Sequence, residues 1–479
     1  MKLTNTYLTL GEHFYQEIEP TPVTSPDLFL WNEALASELS VSEQIKNRAS
    51  HYFSGNERLE GSQPIAQAYA GHQFGSYNPQ LGDGRAHLLG DTKNLSGKIQ
   101  EIQLKGSGPT RYSRRGDGRC ALGPAVREFI MSQAMHSLGV PTTKALAVVT
   151  TGEKVWRQSS ENGAVVTRVA SSHLRVGTFQ YIAALDDKHK LEQLLEFAIE
   201  RHYPQLSQHE QKALAFLDCV IKAQIKTVVE WMRVGFIHGV MNTDNTTISG
   251  ETIDYGPCAM MGKYHPLTVF SSIDRDGRYS FGNQPWIMQW NMARLAESLI
   301  TLVDDDADKA VSMLEPYING FAEQLKVAYY QMMYDKLGLI AQPKREFVDK
   351  LLTRMQELEL DYTQTFAELT QSLAPVPMEA LNTENIKALG DVYDEWLSLV
   401  TTQPQADTRE IMRKSNPLVI PRNHHIESVI SQCELTGKPE SAIAILKVLT
   451  SPYHENSETK HYQDAGDDND KYYQTFCGT

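Results

Sequence analysis

Two polar residues nine positions apart carry the clearest chemical signal in this 479-residue chain. Asn245 closes the run His238-Gly239-Val240-Met241-Asn242-Thr243-Asp244-Asn245, and Asp254 opens Asp254-Tyr255-Gly256. One amide oxygen and one carboxylate oxygen are ligands that a hard divalent cation accepts. Thr246–Ile248, Ser249-Gly250 and Thr252–Asp254 read as a small hairpin that would return Asp254 towards Asn245. Kinase-type sites use such a pair to hold Mg²⁺ on a triphosphate, and the other parts of that chemistry stand upstream in the required order. The turn Leu81-Gly82-Asp83-Gly84-Arg85 precedes an apolar strand, Ala86–Leu89. Its glycines would let backbone N–H groups approach phosphate oxygens, although two close glycines alone describe a plain hairpin equally well. Lys105 ends a strand that begins near Ile99, and Glu128 on the following helix would hold its ammonium over the phosphates. Arg168 and Arg175 flank Ser171-Ser172-His173 and offer bidentate contacts to phosphate oxygens.

One position departs from the kinase pattern. The third residue of the loop, where the usual catalytic aspartate would stand, is Val240. A general base must reach the attacking hydroxyl, so either the site is dead or the base sits elsewhere. Asp244, next to Asn245, is the substitute.

The elements that must position these residues follow from periodicity. Ile102 and Leu104 alternate with Gln103 and Lys105, a half-buried strand pattern. Pro124 to Leu138 reads as a helix ended by Gly139-Val140-Pro141. Ala145–Thr150, Lys154–Arg157 and Ala164–Ala170 read as short strands, with a hairpin signal at Glu161-Asn162-Gly163. Gln208–Arg233 is an apolar-periodic helix stopping at Gly235, and 285–447 is mostly helical. The expected architecture is α+β: a protein-kinase-like two-lobed fold with a β-rich N-lobe, a helical C-lobe and additional C-terminal helices. Its expected divisions are an N-terminal extension packed on the core (1–75), the N-lobe (76–180), the C-lobe with the catalytic and metal loops (181–450), and a flexible acidic tail (451–479).

Composition narrows the class. A formal charge of −14 argues against a nucleic-acid partner, which needs a basic face. No apolar run is long enough to cross a bilayer, and the polar start Met1-Lys2-Leu3-Thr4-Asn5 has no h-region or Arg-rich presequence. Five scattered cysteines without a C-x-x-C pair suit a reducing cytoplasm, the expected location. Oligomeric state is not legible.

Several longer runs resemble one family. Gly71-His72-Gln73-Phe74-Gly75, Gln80–Ala86, Gln103–Thr110, Tyr112-Ser113-Arg114, Asp117-Gly118-Arg119, Thr167–Ala170, the two loops above and Asn416–His424 are similar to the SelO family, also called YdiU. The resemblance extends from about residue 60 to the C-terminal tail. It implies a kinase-like fold that transfers AMP from ATP to Ser, Thr or Tyr hydroxyls of proteins and releases pyrophosphate, with the nucleotide reversed so that its γ-phosphate lies inward. It further implies Gly82, Gly84, Arg85, Lys105, Asp117, Gly118, Arg168, Arg175 and Asp254 as nucleotide-binding residues. Asn245 and Asp254 would bind Mg²⁺ (or Mn²⁺), Glu128 would support Lys105, and Asp244 would accept the proton. Cys477, third from the end, resembles the family's C-terminal redox residue, with Cys258 one candidate partner. Two alternatives compete: a phosphotransferase of the aminoglycoside-kinase type, which would keep an aspartate at Val240, and a non-catalytic nucleotide-binding pseudokinase.

Overall fold

The structure, a computed structural model, describes residues 1–157, 159–340, 344–374, 383–466, 470 and 473–475. Twelve strands form among the described residues: β1 Tyr15–Glu17, β2 Asp27–Trp31, β3 Ile65–Gln67, β4 Gly71–Gln73, β5 Ser76–Asn78, β6 Ala86–Lys93, β7 Ile99–Lys105, β8 Cys120–Ala121, β9 Lys144–Trp156, β10 Ser160–Ala170, β11 Phe236–Ile237 and β12 Ala259–Met260. Seven run in the order β1-β3-β6-β7-β10-β9-β2 as one antiparallel sheet, with β8 beside β10. The first 75 residues thus supply β1 and β3 at one edge and β2 at the other, and Leu3, Leu35 and Phe53 pack against one sheet face.

β7 is buried on both faces, not half-buried. Ile102 and Leu104 enter the apolar core, while Gln103 and Lys105 face a polar interior that hydrogen bonds them. A period-2 pattern reports which side chains share a face but not whether the polar face meets water. The β9–β10 hairpin also differs from expectation. Glu161 and Asn162 pair inside β10 with Val155 and Lys154, and the pairing continues to Ser160 opposite Trp156, so the strands do not reverse at Glu161-Asn162-Gly163. Asn162-Gly163 marks a break in the β9–β10 register, where Gly163 pairs with Ala121 of β8. Asn-Gly suits a bulge as well as a turn.

The Leu122–Ser137 helix crosses the sheet and is covered on its other side by the helices Asn423–Thr436 and Glu440–Leu449. That sandwich buries Arg127 and Glu128 with the apolar residues Val126, Phe129 and Ile130. Below the sheet, the Lys212–Val234 helix buries Leu214, Leu217, Val220, Ile221, Ile225, Val228 and Val229 and ends on left-handed Gly235 (φ 75°). Truncating one such core leucine to alanine costs about 2–5 kcal/mol. The Lys212–Val234 helix packs against the helices Gln284–Ser298 and Ala307–Leu337, which complete the scaffold under the His238–Asn245 loop. Among the described residues no helix is long and apolar enough to cross a membrane. In the tail, Thr459–Gln463 is helical. Arg127 Nη2 donates to the Tyr473 hydroxyl (2.6 Å), and Thr475 N–H donates to the Phe270 carbonyl (2.8 Å). Cys477 lies outside the described residues.

Candidate active site

Between the lobes lies a cleft of about 460 Å³ whose walls bring together Gly82, Gly84, Arg85, Lys105, Asp117, Gly118, Arg168, Arg175, Asp244, Asn245 and Asp254. Seven cationic side chains line it against four carboxylates, a positive pocket in an acidic chain. A larger groove of about 710 Å³, between the Lys188–His202 helix and residues 302–313, carries none of these residues.

The inner end is an ionic lattice. Lys105 Nζ lies 2.7 Å from Glu128 Oε2 and also pairs with Asp254. Arg168 reaches Glu128 Oε1 at 2.7 Å and Asp254 Oδ1 at 3.1 Å, and donates to Gln103 Oε1 at 3.3 Å. Glu128 therefore holds two cations, where the sequence suggested one. Burial alone would raise the Glu128 and Asp254 carboxyls; the adjacent Arg168 and Lys105 outweigh it and keep both low, Asp254 well below the usual carboxylate range. Asp254 is also held at a left-handed φ of 71°, which costs a non-glycine residue about 1–2 kcal/mol. Its two ion pairs hold it there.

Arg175 lies one layer towards the loop. Its guanidinium sits 4.4 Å from the Tyr69 ring centroid, donates to the Asp244 carbonyl (3.0 Å) and reaches Asp83 Oδ1 at 3.5 Å. Asp83 is a site residue that sequence reasoning assigned no role. It is buried, its Oδ2 accepts from Gln103 Nε2 (3.1 Å), and its Oδ1 accepts from the Tyr69 hydroxyl (3.3 Å). The available signal was a carboxylate between two glycines, a costly place for an unpartnered charge. Gly82 has φ +142°, and a Cβ there would meet the Tyr112 ring at 2.4 Å, so the turn requires glycine. Asp117, at the exposed rim, is held by Arg157 at 2.9 and 3.0 Å, and Gly118 packs on the backbone of Gly108 and Pro109.

The loop end is built differently. His238 Nε2 donates to the Ile253 carbonyl (2.9 Å), which ties the loop to the residue before Asp254. The chain turns over Thr247–Gly250, where Gly250 N–H donates to the Thr247 carbonyl (3.4 Å), but its flanks do not pair as the expected hairpin. Thr247 bridges Arg175 and Thr252 bridges Thr142, because both segments pair with neighbouring elements and not with each other. Asn245 Nδ2 donates to the Val240 carbonyl (3.1 Å), which leaves Oδ1 as its free acceptor among the described residues. Asp244 Oδ2 accepts from Gln73 Nε2 (3.3 Å), and its buried Oδ1 has no partner among the described residues. Burial pushes its carboxyl up to about 6. Gln73 belongs to β4, whose Gly71 touches Asp244: a Cβ on Gly71 would lie 2.8 Å from Oδ1. The Gly71–Gly75 run was visible in the sequence, but not its contact with the His238–Asn245 loop. Asn245 Oδ1 and an ionised Asp254 fit a divalent cation that completes its shell with phosphate oxygens and water.

A β-rich lobe carrying a lysine–glutamate pair, a glycine turn above it and an Asn/Asp pair on a loop of the helical lobe define a transferase of protein-kinase-like fold. More particularly, the chain belongs to the SelO family: the family model described as "Protein adenylyltransferase SelO" matches residues 1–451. The chain is a nucleotidyltransferase of that family. The protein nucleotidyltransferase YdiU of Teredinibacter turnerae is 49% identical over 488 residues, covering 100% of each chain. The protein of the same name from Bacillus cereus is 46% identical over 489 residues, covering 100% of this chain and 98% of that one. Among solved structures, ROP2 from Toxoplasma gondii, described as a virulence factor with a protein-kinase fold and no enzymatic activity, aligns at 11% identity over 78% of this chain and 96% of that one. Its TM-score is 0.27, too low to add to the assignment.

Proposed function

We propose that this chain transfers AMP from ATP to Ser, Thr or Tyr hydroxyls of proteins, with the γ-phosphate seated inward and the α-phosphate facing the acceptor. The observation that carries this reading is Asp244: a buried carboxylate with one oxygen unpartnered among the described residues, raised to about 6, beside Asn245 in a loop whose kinase-base position is Val240. A general base serves best when its pKa lies near the working pH.

In this reading Lys105, Arg168 and Arg175 hold the β- and γ-phosphates, and Glu128 and Asp83 keep the cations in place. Gly82, Gly84, Arg85, Asp117 and Gly118 shape the outer wall over the nucleotide. Asn245 and Asp254 would hold Mg²⁺ or Mn²⁺, which when bound offsets charge on the phosphate oxygens. Asp244 takes the proton of the acceptor hydroxyl as its oxygen bonds to the α-phosphorus. The bond from that phosphorus to the bridging oxygen breaks, and pyrophosphate leaves against the inner cations, which stabilise its charge.

Incubating the protein with a protein acceptor and ATP labelled on either the α- or the γ-phosphate tests this. Covalent label from the α position only is expected. Label from the γ position only would assign phosphoryl transfer instead, and label from neither would assign a non-catalytic nucleotide binder.

A further inference from the structure

Beside the loop end of the cleft lies a surface whose outward face, away from Gln73, has no part in the proposed nucleotide binding or proton transfer. The β4–β5 hairpin is fastened to the catalytic loop by its backbone: His72 N–H donates to Thr243 Oγ1 (2.7 Å), and Phe74 N–H donates to Asn242 Oδ1 (3.0 Å). Next to it, the Gln284–Ser298 helix presents Trp286, Trp290 and Arg294 at four-residue spacing, one face of the helix. Arg278 sits between them, its guanidinium carbon 5.9 Å from the Trp286 ring centroid, 5.0 Å from Trp290 and 5.7 Å from Tyr279. The hairpin tip closes over it, since a Cβ on Gly75 would lie 3.6 Å from that carbon.

Two properties set this surface apart. Large apolar side chains are exposed on it: Trp286 at 57%, Tyr77 at 43% and Phe74 at 36%, with Ile273 at 51% on the cleft margin. Contiguous exposed apolar area of this kind marks an interaction site. Secondly, Arg278 makes no ion pair among the described residues, although Arg294 nearby is taken by Glu297 at 2.7 Å. The Asp274 carboxylate nearby is engaged by the backbone N–H groups of Arg278 (2.9 Å) and Tyr279 (2.8 Å), so a guanidinium boxed by rings and without an ion pair among the described residues can still receive a carboxylate bidentately. Tryptophan, tyrosine and arginine are also the residues that dominate binding energy at protein interfaces.

We propose that this surface docks the acceptor polypeptide, recognising an extended segment in which a carboxylate and a large apolar side chain lie close to the hydroxyl to be modified. Trp286 and the hairpin receive the apolar side chain, and Arg278 pairs with the carboxylate. The hydrogen bonds from the hairpin to residues 242 and 243 then set the distance from the docked segment to Asp244. The proposal rests on the adenylyl-transfer reading for its chemistry but not for its binding.

The test uses the full chain and fluorescein-labelled peptides containing Ser flanked by Asp and Phe, with Asp→Asn, Asp→Lys and Phe→Ala counterparts. Binding is read by anisotropy and transfer by α-labelled ATP. The Asp/Phe peptide is expected to bind at least about tenfold tighter than the Asn or Ala versions, a difference of about 1.4 kcal/mol. Trp286→Ala, a largely exposed position, should weaken it about tenfold. Arg278→Gln should erase the Asp/Asn preference, and Arg278→Glu should turn it towards the Lys peptide. ATP affinity should stay within about twofold in all three, and any change in transfer should fall on peptide KM and not on kcat.

An Asp/Asn preference that survives Arg278→Gln overturns the proposal. So does self-association of the chain, or binding to phosphatidylcholine vesicles, that Trp286→Ala abolishes, since the surface would then serve a second copy or a lipid. Selective peptide binding without transfer of label would leave docking standing and remove the adenylyl-transfer reading; transfer without selectivity would do the reverse.

Discussion

At the inner end of the cleft, Glu128 and Asp254 face Lys105 and Arg168 and are held in their charged forms. At the loop end, Asp244 is buried but has one weak donor and an oxygen with no partner among the described residues, and burial raises it to about 6. The same residue type is therefore set to opposite tasks by its partners. In the proposed reading the paired carboxylates hold cations and would hold a metal without exchanging protons near neutrality, while the unpaired one would exchange them. Separating the two kinds would let one small cleft hold a highly charged ligand and still contain the proposed base.

Breaking the charged end should have the largest effect. Asp254→Asn removes the candidate metal ligand and the shared partner of Lys105 and Arg168, and should lower transfer by roughly 10³-fold or more; activity near the parent level would remove Asp254 from the metal role. Asp244→Asn attacks the other end. Transfer should fall by roughly 10²–10³-fold while ATP binding persists, measured by turnover and by nucleotide titration separately. In the parent, kcat/KM should fall about tenfold per pH unit below about 6 and level off above it, and that acidic limb should vanish in the variant.

The sign for stability is opposite to that for activity. The folded pKa of Asp244 lies above its unfolded value of 3.8, so its ionisation opposes folding, and stability is lost as pH rises from 3.8 to about 6. Asp244→Asn should accordingly be more stable than the parent at pH 7, by up to about 3 kcal/mol, and gain nothing at pH 3. Unfolding midpoints at the two pH values check this.

Glu128→Gln leaves two buried cations with Asp254 alone and should cost about 3 kcal/mol in denaturant unfolding. A variant as stable as the parent would show that Asp254 satisfies both. The smallest effect is expected from Gln73→Leu, which removes the donor to Asp244 Oδ2 and should move the acidic limb upward by less than about one pH unit.

Much of the charged end was legible because its parts follow one another in chain order on recognisable elements. Lys105 closes a strand with period-2 alternation, and Glu128 lies on the next apolar-periodic helix, so pairing them needed only the direction of the chain. Arg168 as a second partner of Glu128 was not legible, because it depends on β10 lying beside β7 in antiparallel register, with Arg168 opposite Gln103. Gln73 was harder still. It is 171 residues from Asp244, in a three-residue strand with no periodic signal. The hairpins differ for one reason: Asn162-Gly163 bulges, and the turn over Thr247–Gly250 has flanks that pair elsewhere, because partners from distant parts of the chain decide what a turn-compatible pair does.

By itself, then, the order of residue types determined the two-lobed class, the glycine turn, the lysine–glutamate pair and the loop with Val240 in place of a base, because each is written in local spacing. The tertiary structure alone decided which carboxylates are paired. It buried Asp83 against Arg175, gave Glu128 two cations, left Asp244 Oδ1 without a partner among the described residues and boxed Arg278 among rings. Protonation and binding depend on what surrounds a side chain within a few ångströms, and at this site those neighbours come from segments tens to hundreds of residues apart.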